Sequence, residues 1–412
     1  MTPDDTVQPS LGAPTDHSQL DDIKMLTIGF ESKRLLTSST GFGTYSRTLV
    51  RDICKFSPET RCVLIAHDSY EVLNKLPTFS SSEVRQVRAL DSTKVVYPPS
   101  TWNLYWKLLG ATRTLSSQGI DIYHGLAHQI PRSVRQKRVP IVLTIHDLIY
   151  RHYPEFSPDD DHKLYESQLI NACSISDKII AVSESTKRDI VNFFSISPKK
   201  ISVIRQAVDY RYHKIATTEV IQQTRSNYGL PERYLLYVGS MSERKNLLSV
   251  VKALNIIPRA DRLPLVVVGA KSSYSNVVAK YIKNNGLDNW LVFPKRVETK
   301  DLPVVYQAAE IFLYTSLYEG FGIPVLEALS SGIPVITSNV SAMPEAAGPD
   351  SRLIDPKRPD EIASGIIDIL SDDSLRHKMV QNGYSYAQKF DNKIVTEQML
   401  QLYQSTILNH KK

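Results

Sequence analysis

Cysteine is scarce in this chain: Cys54, Cys62 and Cys173 are the only three in 412 residues, and they are widely spaced. Such spacing gives neither a disulfide framework nor a metal site and fits a reducing compartment, so a cytoplasmic protein is expected. Long apolar runs are missing as well. No window approaches the ~18 uninterrupted apolar residues of a membrane helix, and the polar start MTPDDTVQPSLGAPTDHSQLDD has no apolar signal core. Residues 1–22 are expected to form a disordered tail. No half of the chain is strongly basic: the net charge of +6 is shared almost evenly between the two halves, which argues against nucleic acid as the principal partner. An acidic DxD between an apolar strand and a loop is also lacking, since Asp159 to Asp161 lie in a polar stretch after Pro158. No metal site is expected. The segment GFGTYS follows the first strand, where Gly41 and Gly43, with Thr44, would let backbone amides approach a phosphate or acceptor. It lacks the third glycine of the dinucleotide fingerprint, which counts against a nicotinamide enzyme.

What is present is a rhythm of short apolar runs alternating with helical stretches, the pattern of a parallel α/β sheet. Candidate strands include Met25 to Phe30, Cys62 to Ala66, Ile120 to His124, Ile141 to Thr144 and Ile179 to Ser183 in the first half. In the second half they include Leu235 to Gly239, Leu265 to Gly269, Leu291 to Phe293, Ile311 to Thr315 and Pro334 to Thr337. At this length two domains are expected. Arg205 to Leu230 is the natural boundary, because the strand pattern restarts at Tyr234. Two features bear on surfaces. Arg132, Arg135, Lys137 and Arg138 form a basic run, and Trp102, Tyr105, Trp106 and Leu109 fall at helical spacing. Together they fit either peripheral contact with an anionic membrane face or a solvated loop and a core-facing helix.

The stretch Ser316 to Ser338 sets Glu319 and Glu327 on either side of a glycine turn that opens into a helix. Gly320 and Gly322 allow a tight turn around Phe321, and Pro324 suits the first helical position, followed by Val325 and Leu326. Backbone amides from Gly320 through Ile323 to Leu326 would then meet a pyrophosphate at the positive end of the helix dipole. A carboxylate beside a phosphate site is a liability unless it accepts hydrogen bonds from hydroxyls. Two carboxylates imply two polyols, with Glu327 on a ribose and Glu319, on the flexible side of the turn, on a sugar. Ligands in open parallel sheets sit beyond the carboxyl ends of strands. Arg244 and Lys245 follow the strand LLYVG by a short turn, where they would neutralise a departing diphosphate, and His146 with Asp147 ends the strand IVLTI.

These segments resemble retaining family-4 glycosyltransferases, whose signature is two glutamates separated by seven residues. YLLYVGSMSERKNL, LTIHDLIYRHYPEF, AVSESTKRDIV and GFGTYSRTLV are similar to further segments of that family, in family order, across roughly residues 23 to 408. The resemblance implies the GT-B fold, two facing Rossmann-like parallel-sheet domains with an interdomain cleft. It divides the chain into an acceptor domain over 23–208, a nucleotide-sugar donor domain over 209–390, and a last helix in 391–412 that crosses back. It also implies that Lys245, with Arg244, binds the leaving phosphates, that His146 lies near the transferred sugar, and that backbone near Arg296 and Val297 meets the base. Many members carry arginine where this chain has Ser240. The implied reaction is retaining hexosyl transfer to a glycan or lipid-linked acceptor, without metal or cofactor, in bacterial polysaccharide synthesis. GDP-mannose is the first expectation for the donor and a UDP-sugar the second; an epimerase of the same fold or an idle nucleotide-sugar-binding protein is the alternative.

Overall fold

The computed structural model describes residues 25–98, 111–131, 134, 139–156 and 162–410. The aromatic stripe around Trp102, the basic run around Arg135 and the acidic triplet Asp159 to Asp161 lie outside the described residues, as does the amino-terminal stretch 1–22. Cys54 and Cys62, far apart in expectation, meet with their sulfurs 3.7 Å apart as free thiols, because the turn between the helix Gly41–Phe56 and the next strand folds one onto the other.

Two all-parallel sheets carry the chain. The first contains β1 (Thr27–Glu31), β2 (Arg61–Ile65), β3 (Thr93–Val96), β4 (Ile122–Gly125), β5 (Ile141–Ile145), β6 (Lys178–Ala181) and β7 (Ile201–Val203), in the order β3-β2-β1-β4-β5-β6-β7. The second contains β8 (Leu235–Val238), β9 (Leu265–Val268), β10 (Leu291–Val292), β11 (Ile311–Tyr314), β12 (Val335–Ser338) and β13 (Arg352–Ile354), in the order β10-β9-β8-β11-β12-β13. Central strands such as IVLTI and IFLY are buried at every residue, as strands covered by helices on both faces must be. Each sheet accordingly has two apolar clusters, one per face. The sheet order reverses direction between β1 and β4 in the first and between β8 and β11 in the second, which opens a crevice beyond the carboxyl ends of each sheet.

β3 and β13 were not among the expected strands. Both are short edge strands with little apolar burial, TKVV and RLI, so they lack the continuous apolar run that marks a central strand. The polar stretch after Thr217 is the helix Thr218–Tyr228, started by the Thr217 side chain accepting from the Val220 amide and ended at Gly229 in the left-handed region. The helix Asn392–His410 lies on the first sheet, where Val395, Met399, Leu402 and Tyr403 join Ile28, Phe30 and Ile53 in one cluster. Each of those side chains contributes roughly 1.5–3 kcal/mol by burial. Asn392 donates to the Asp52 carboxylate, and the Tyr403 hydroxyl meets Nδ1 of fully buried His124 at 2.7 Å. Among the described residues no helix is long and apolar enough to cross a membrane.

The Tyr403 hydroxyl therefore has a measurable role. Tyr403→Phe leaves a buried imidazole nitrogen without its partner, and urea unfolding should show a loss of about 1–3 kcal/mol with an unchanged far-ultraviolet spectrum.

Candidate active site

The donor turn grows out of β11. Thr315 to Gly322 leave the carboxyl end of that strand and feed the helix Ile323–Ser330, whose cap Gly322 sits at φ +119°. A Cβ on Gly322 would lie 2.1 Å from the Met343 methyl, and one on Gly320 would lie 1.8 Å from the carbonyl oxygen of His146. Only glycine lets the turn reach the first sheet this closely. Pro324 is the second helical residue, one place later than the spacing predicts, and the Val325 amide is spent on the Gly322 carbonyl at 2.9 Å. Phe321, Val325 and Leu326 point into the core, Phe321 against Phe390, and Ile323 is half-buried on the same cluster. These residues can meet a ligand through backbone alone, and Val325 through none of its amide.

Arg244 and Lys245 occupy the one-turn helix Glu243–Lys245 that follows β8. Asn246, at φ +57°, ties this turn to its neighbours by donating to the carbonyls of Thr315 at 3.0 Å and Pro356 at 2.7 Å. The Leu317 amide donates to the Arg244 carbonyl, which stitches the cationic turn to the donor turn. Glu319 is not on an open flank: its carboxylate is buried between the Arg244 guanidinium and the Lys245 ammonium, 2.7 Å from each. Burial alone would raise the Glu319 carboxyl, but Lys245 and then Arg244 outweigh it and hold it at about 2. Tyr314 completes the group. Its hydroxyl accepts from Lys245 and donates to Glu319 at 3.3 Å, while the Tyr237 hydroxyl donates to the Lys245 carbonyl at 3.2 Å.

Glu327 is half-buried one helical turn further on, where the Tyr306 hydroxyl donates to it at 3.0 Å and the Tyr212 hydroxyl is a second donor. Burial raises this carboxyl to about 7 against the pull of the two hydroxyls. The sequence offers no signal for Tyr212 or Tyr306, which reach Glu327 from separate segments.

His146 faces this group from the end of β5. Its Nε2 lies 2.9 Å from the Leu126 carbonyl, and a carbonyl only accepts, so that nitrogen carries the hydrogen. Nδ1 is then a lone pair, and it accepts from the amide of Gln206 at 3.0 Å. The backbone N–H of His146 donates to Nε2 of His128 at 2.8 Å. Burial pushes all three neighbouring imidazoles down, His124 and His146 to about 3 and His128 to about 4, so His146 is neutral. The rings of Phe42 and Tyr45 pack on His146 at 4.8 and 4.7 Å. Gly41 and Gly43 thereby come to the site, but as the first turn of the helix Gly41–Phe56, after the short helix Lys33–Thr37 and not directly after β1. Gly43 is explained by packing, since a Cβ there would lie 2.1 Å from the Ser38 carbonyl oxygen. Asp147 lies against Gly320, accepts from the Ile149 amide at 3.2 Å, and has its carboxyl raised by burial.

Side chains fasten the two sheets together around these residues. The Thr186 hydroxyl is 3.2 Å from the carbonyls of both His146 and Gly320. The Tyr318 hydroxyl donates to Asp189, its ring stacks on His152 at 4.4 Å, and its carbonyl accepts from Arg244 at 2.7 Å. Glu345 accepts from the amides of Glu184 and Ser185, both at 2.9 Å, at the start of the helix Glu184–Phe194, and pairs with Arg205 at 3.3 Å. Other expected residues lie apart from this contact. Ser240 is exposed, with its hydroxyl 3.3 Å from that of Ser242. Arg296 is exposed after β10, and Val297 is half-buried on the cluster that holds Tyr306. A groove of about 570 Å³ under Glu310, Pro334 and Arg376 lies at the amino ends of β11 and β12, the wrong edge for a ligand of a parallel sheet.

The model of Glycosyltransferase Family 4 matches residues 49–212, and that of Glycosyl transferases group 1 matches residues 221–386. The O-antigen chain mannosyltransferase B of Escherichia coli is 30% identical over 284 residues, 68% of this chain and 74% of that protein. The serotype-specific mannosyltransferase WbdA of Escherichia coli is 25% identical over 285 residues, 66% of this chain but only 34% of that longer protein. Among solved structures, Anabaena HepE in complex with UDP and glucose superposes with a TM-score of 0.74 at 17% identity, covering 92% of this chain and all 100% of the other.

The held-down carboxyl of Glu319 gives a pH signature. Its folded value, about 2, lies below the ordinary 4.5, so its contribution to stability is complete above pH 4.5 and is lost as pH falls towards 2. Urea unfolding of Glu319→Gln should trail the wild type most above pH 4.5, with the gap closing under more acid conditions.

Proposed function

This chain belongs to family 4 of the group 1 glycosyltransferases, and from that membership we propose that it moves a hexose, mannose first, from a nucleoside-diphosphate sugar to a hydroxyl of a glycan or lipid-linked acceptor. Polysaccharide synthesis is the setting that its mannosyltransferase relatives support. The observation that carries the reading is the cluster of Arg244, Lys245 and Glu319 at the carboxyl ends of β8 and β11, directly across Gly320 from His146. Two cations fixed beside a hydroxyl-binding acid suit a substrate with a diphosphate joined to a polyol.

On this reading the diphosphate, with its greater negative charge, takes the cations from Glu319, and the freed carboxylate accepts hydrogen bonds from the hexose. Glu327 accepts from the ribose diol. The bond from the anomeric carbon to the phosphate oxygen breaks, and the electron pair leaves with the nucleoside diphosphate while Arg244 and Lys245 stabilise the growing charge. The acceptor oxygen bonds to the anomeric carbon, and its proton passes to the departing phosphate oxygen on the same face, so configuration is retained. His146, neutral and occupied at both nitrogens, positions the sugar and takes no proton from the acceptor. Contact between the sheets excludes water that would hydrolyse the donor.

Thermal-shift screening of GDP-mannose, UDP-glucose and related donors tests the reading, since a ligand of the folded state raises its melting temperature by mass action. Lys245→Ala should lower turnover on the order of a hundredfold, as loss of one preorganised charge does. Glu327→Gln should raise the donor KM, and in the wild type that KM should climb as pH falls through about 7, because the carboxylate form that accepts from a diol is lost there. Near-normal kinetics in both variants would refute the site.

The fixed cations can do what a divalent ion does in other transferases. Turnover should therefore persist in excess chelator; inhibition reversed by magnesium or manganese would overturn this part of the proposal.

A further inference from the structure

We propose that Gln206 fixes the working state of His146 and presents its own carbonyl oxygen to a hydroxyl of the transferred hexose, an inference that rests on the glycosyl-transfer reading above. With Nε2 of His146 committed to the Leu126 carbonyl, the lone pair on Nδ1 needs a donor, and the side-chain amide of Gln206 supplies it at 3.0 Å. That contact sets the orientation of the amide. Its nitrogen must face the imidazole, so its oxygen faces the other way. Gln206 is half-buried, and its oxygen has no protein partner among the described residues and is not sealed from solvent. An acceptor with open access beside a buried, neutral imidazole suits a sugar hydroxyl, which can donate to one group and accept from another.

The location of Gln206 strengthens the case. It lies in the segment that leaves β7 for the second sheet, and its neighbour Arg205 pairs with Glu345 of the second half at 3.3 Å. The amide therefore reaches His146 from the connection between the sheets, and its placement depends on how they sit together. Nothing else among the described residues offers Nδ1 a hydrogen. His128 is used as an acceptor for the His146 backbone, Asp147 is occupied by the Ile149 amide, and the Tyr45 and Phe42 rings supply packing. Charged groups near the pair are the Arg205–Glu345 pair beside Gln206, Asp147 next in the chain, and Arg244 with Glu319 across Gly320.

Three variants separate this role from plain packing. Gln206→Ala should lower kcat/KM for the nucleotide sugar roughly tenfold to a hundredfold, the effect of one lost hydrogen bond with its partner left buried. Affinity for free GDP or UDP should stay within about twofold, because the amide meets the sugar and not the nucleotide. Gln206→Glu sets a carboxylate against a lone pair; its kcat at saturating donor should be low at neutral pH and rise as pH falls, when the pair takes up the proton that restores the hydrogen bond. Gln206→Asn, too short to reach, should resemble the alanine variant while keeping the wild-type melting temperature. Nitrogen-15 spectra should report His146 Nδ1 as an unprotonated, hydrogen-bonded nitrogen in the wild type only. Alanine and asparagine variants with kcat/KM within about twofold of wild type, a glutamate variant whose pH profile parallels it, or nucleotide affinity lost along with turnover would each overturn the inference. A wild type that binds neither nucleotide would overturn the glycosyl-transfer reading, and this inference with it.

Discussion

Two cations held side by side in one half-buried turn need an anion within reach, and in this protein the anion is the carboxylate of Glu319. Arg244 and Lys245 arrive there because β8 ends in a one-turn helix fixed by Asn246, and Glu319 arrives because β11, the adjacent strand, ends in a turn of the same sheet. Removing the carboxylate would leave like charges side by side in a poorly solvated place, an arrangement far more costly than a surface ion pair lost. The surrounding hydroxyls of Tyr314 and Tyr237 hold the triplet in register, so its geometry is built into the sheet.

The same triplet reaches the other half of the molecule. Arg244 donates to the Tyr318 carbonyl, the Tyr318 hydroxyl donates to Asp189, and the Tyr318 ring stacks on His152 of the first half. Any anion that draws Arg244 away from Glu319 therefore pulls on a residue that spans both sheets. Glu345 adds a second strut, its carboxylate lying on the amides that begin a helix of the first half. Neither contact is a large apolar interface; both are polar and local.

The sheets were legible in the sequence where strands are buried on both faces. IVLTI, IFLY and LLYV are continuous apolar runs, and their alternation with helices identified the parallel architecture. The edge strands TKVV and RLI were not, because an edge is half solvated and lacks that run. Within the site, residues that sit just after strands could be named from position alone, among them His146, Arg244 and Glu319. Their state could not. Glu319 is ion-paired where an open acid was expected, and Gly43 serves helix packing more directly than a phosphate. Tyr212, Tyr306 and Gln206 had no local signal, since each touches its acid or imidazole from a remote segment.

By itself the sequence determined the central strands, their order, and the chemical types waiting at the strand ends, because periodicity and turn chemistry are local properties of neighbouring residues. Tertiary structure alone decided which charges neutralise one another, which nitrogen of His146 bears the hydrogen, and which carboxyl is pushed up to about 7 while another is held at about 2. Protonation and pairing follow from burial and from distances of a few ångströms between residues far apart in the chain. Those distances come into being only when the chain folds and brings remote segments side by side.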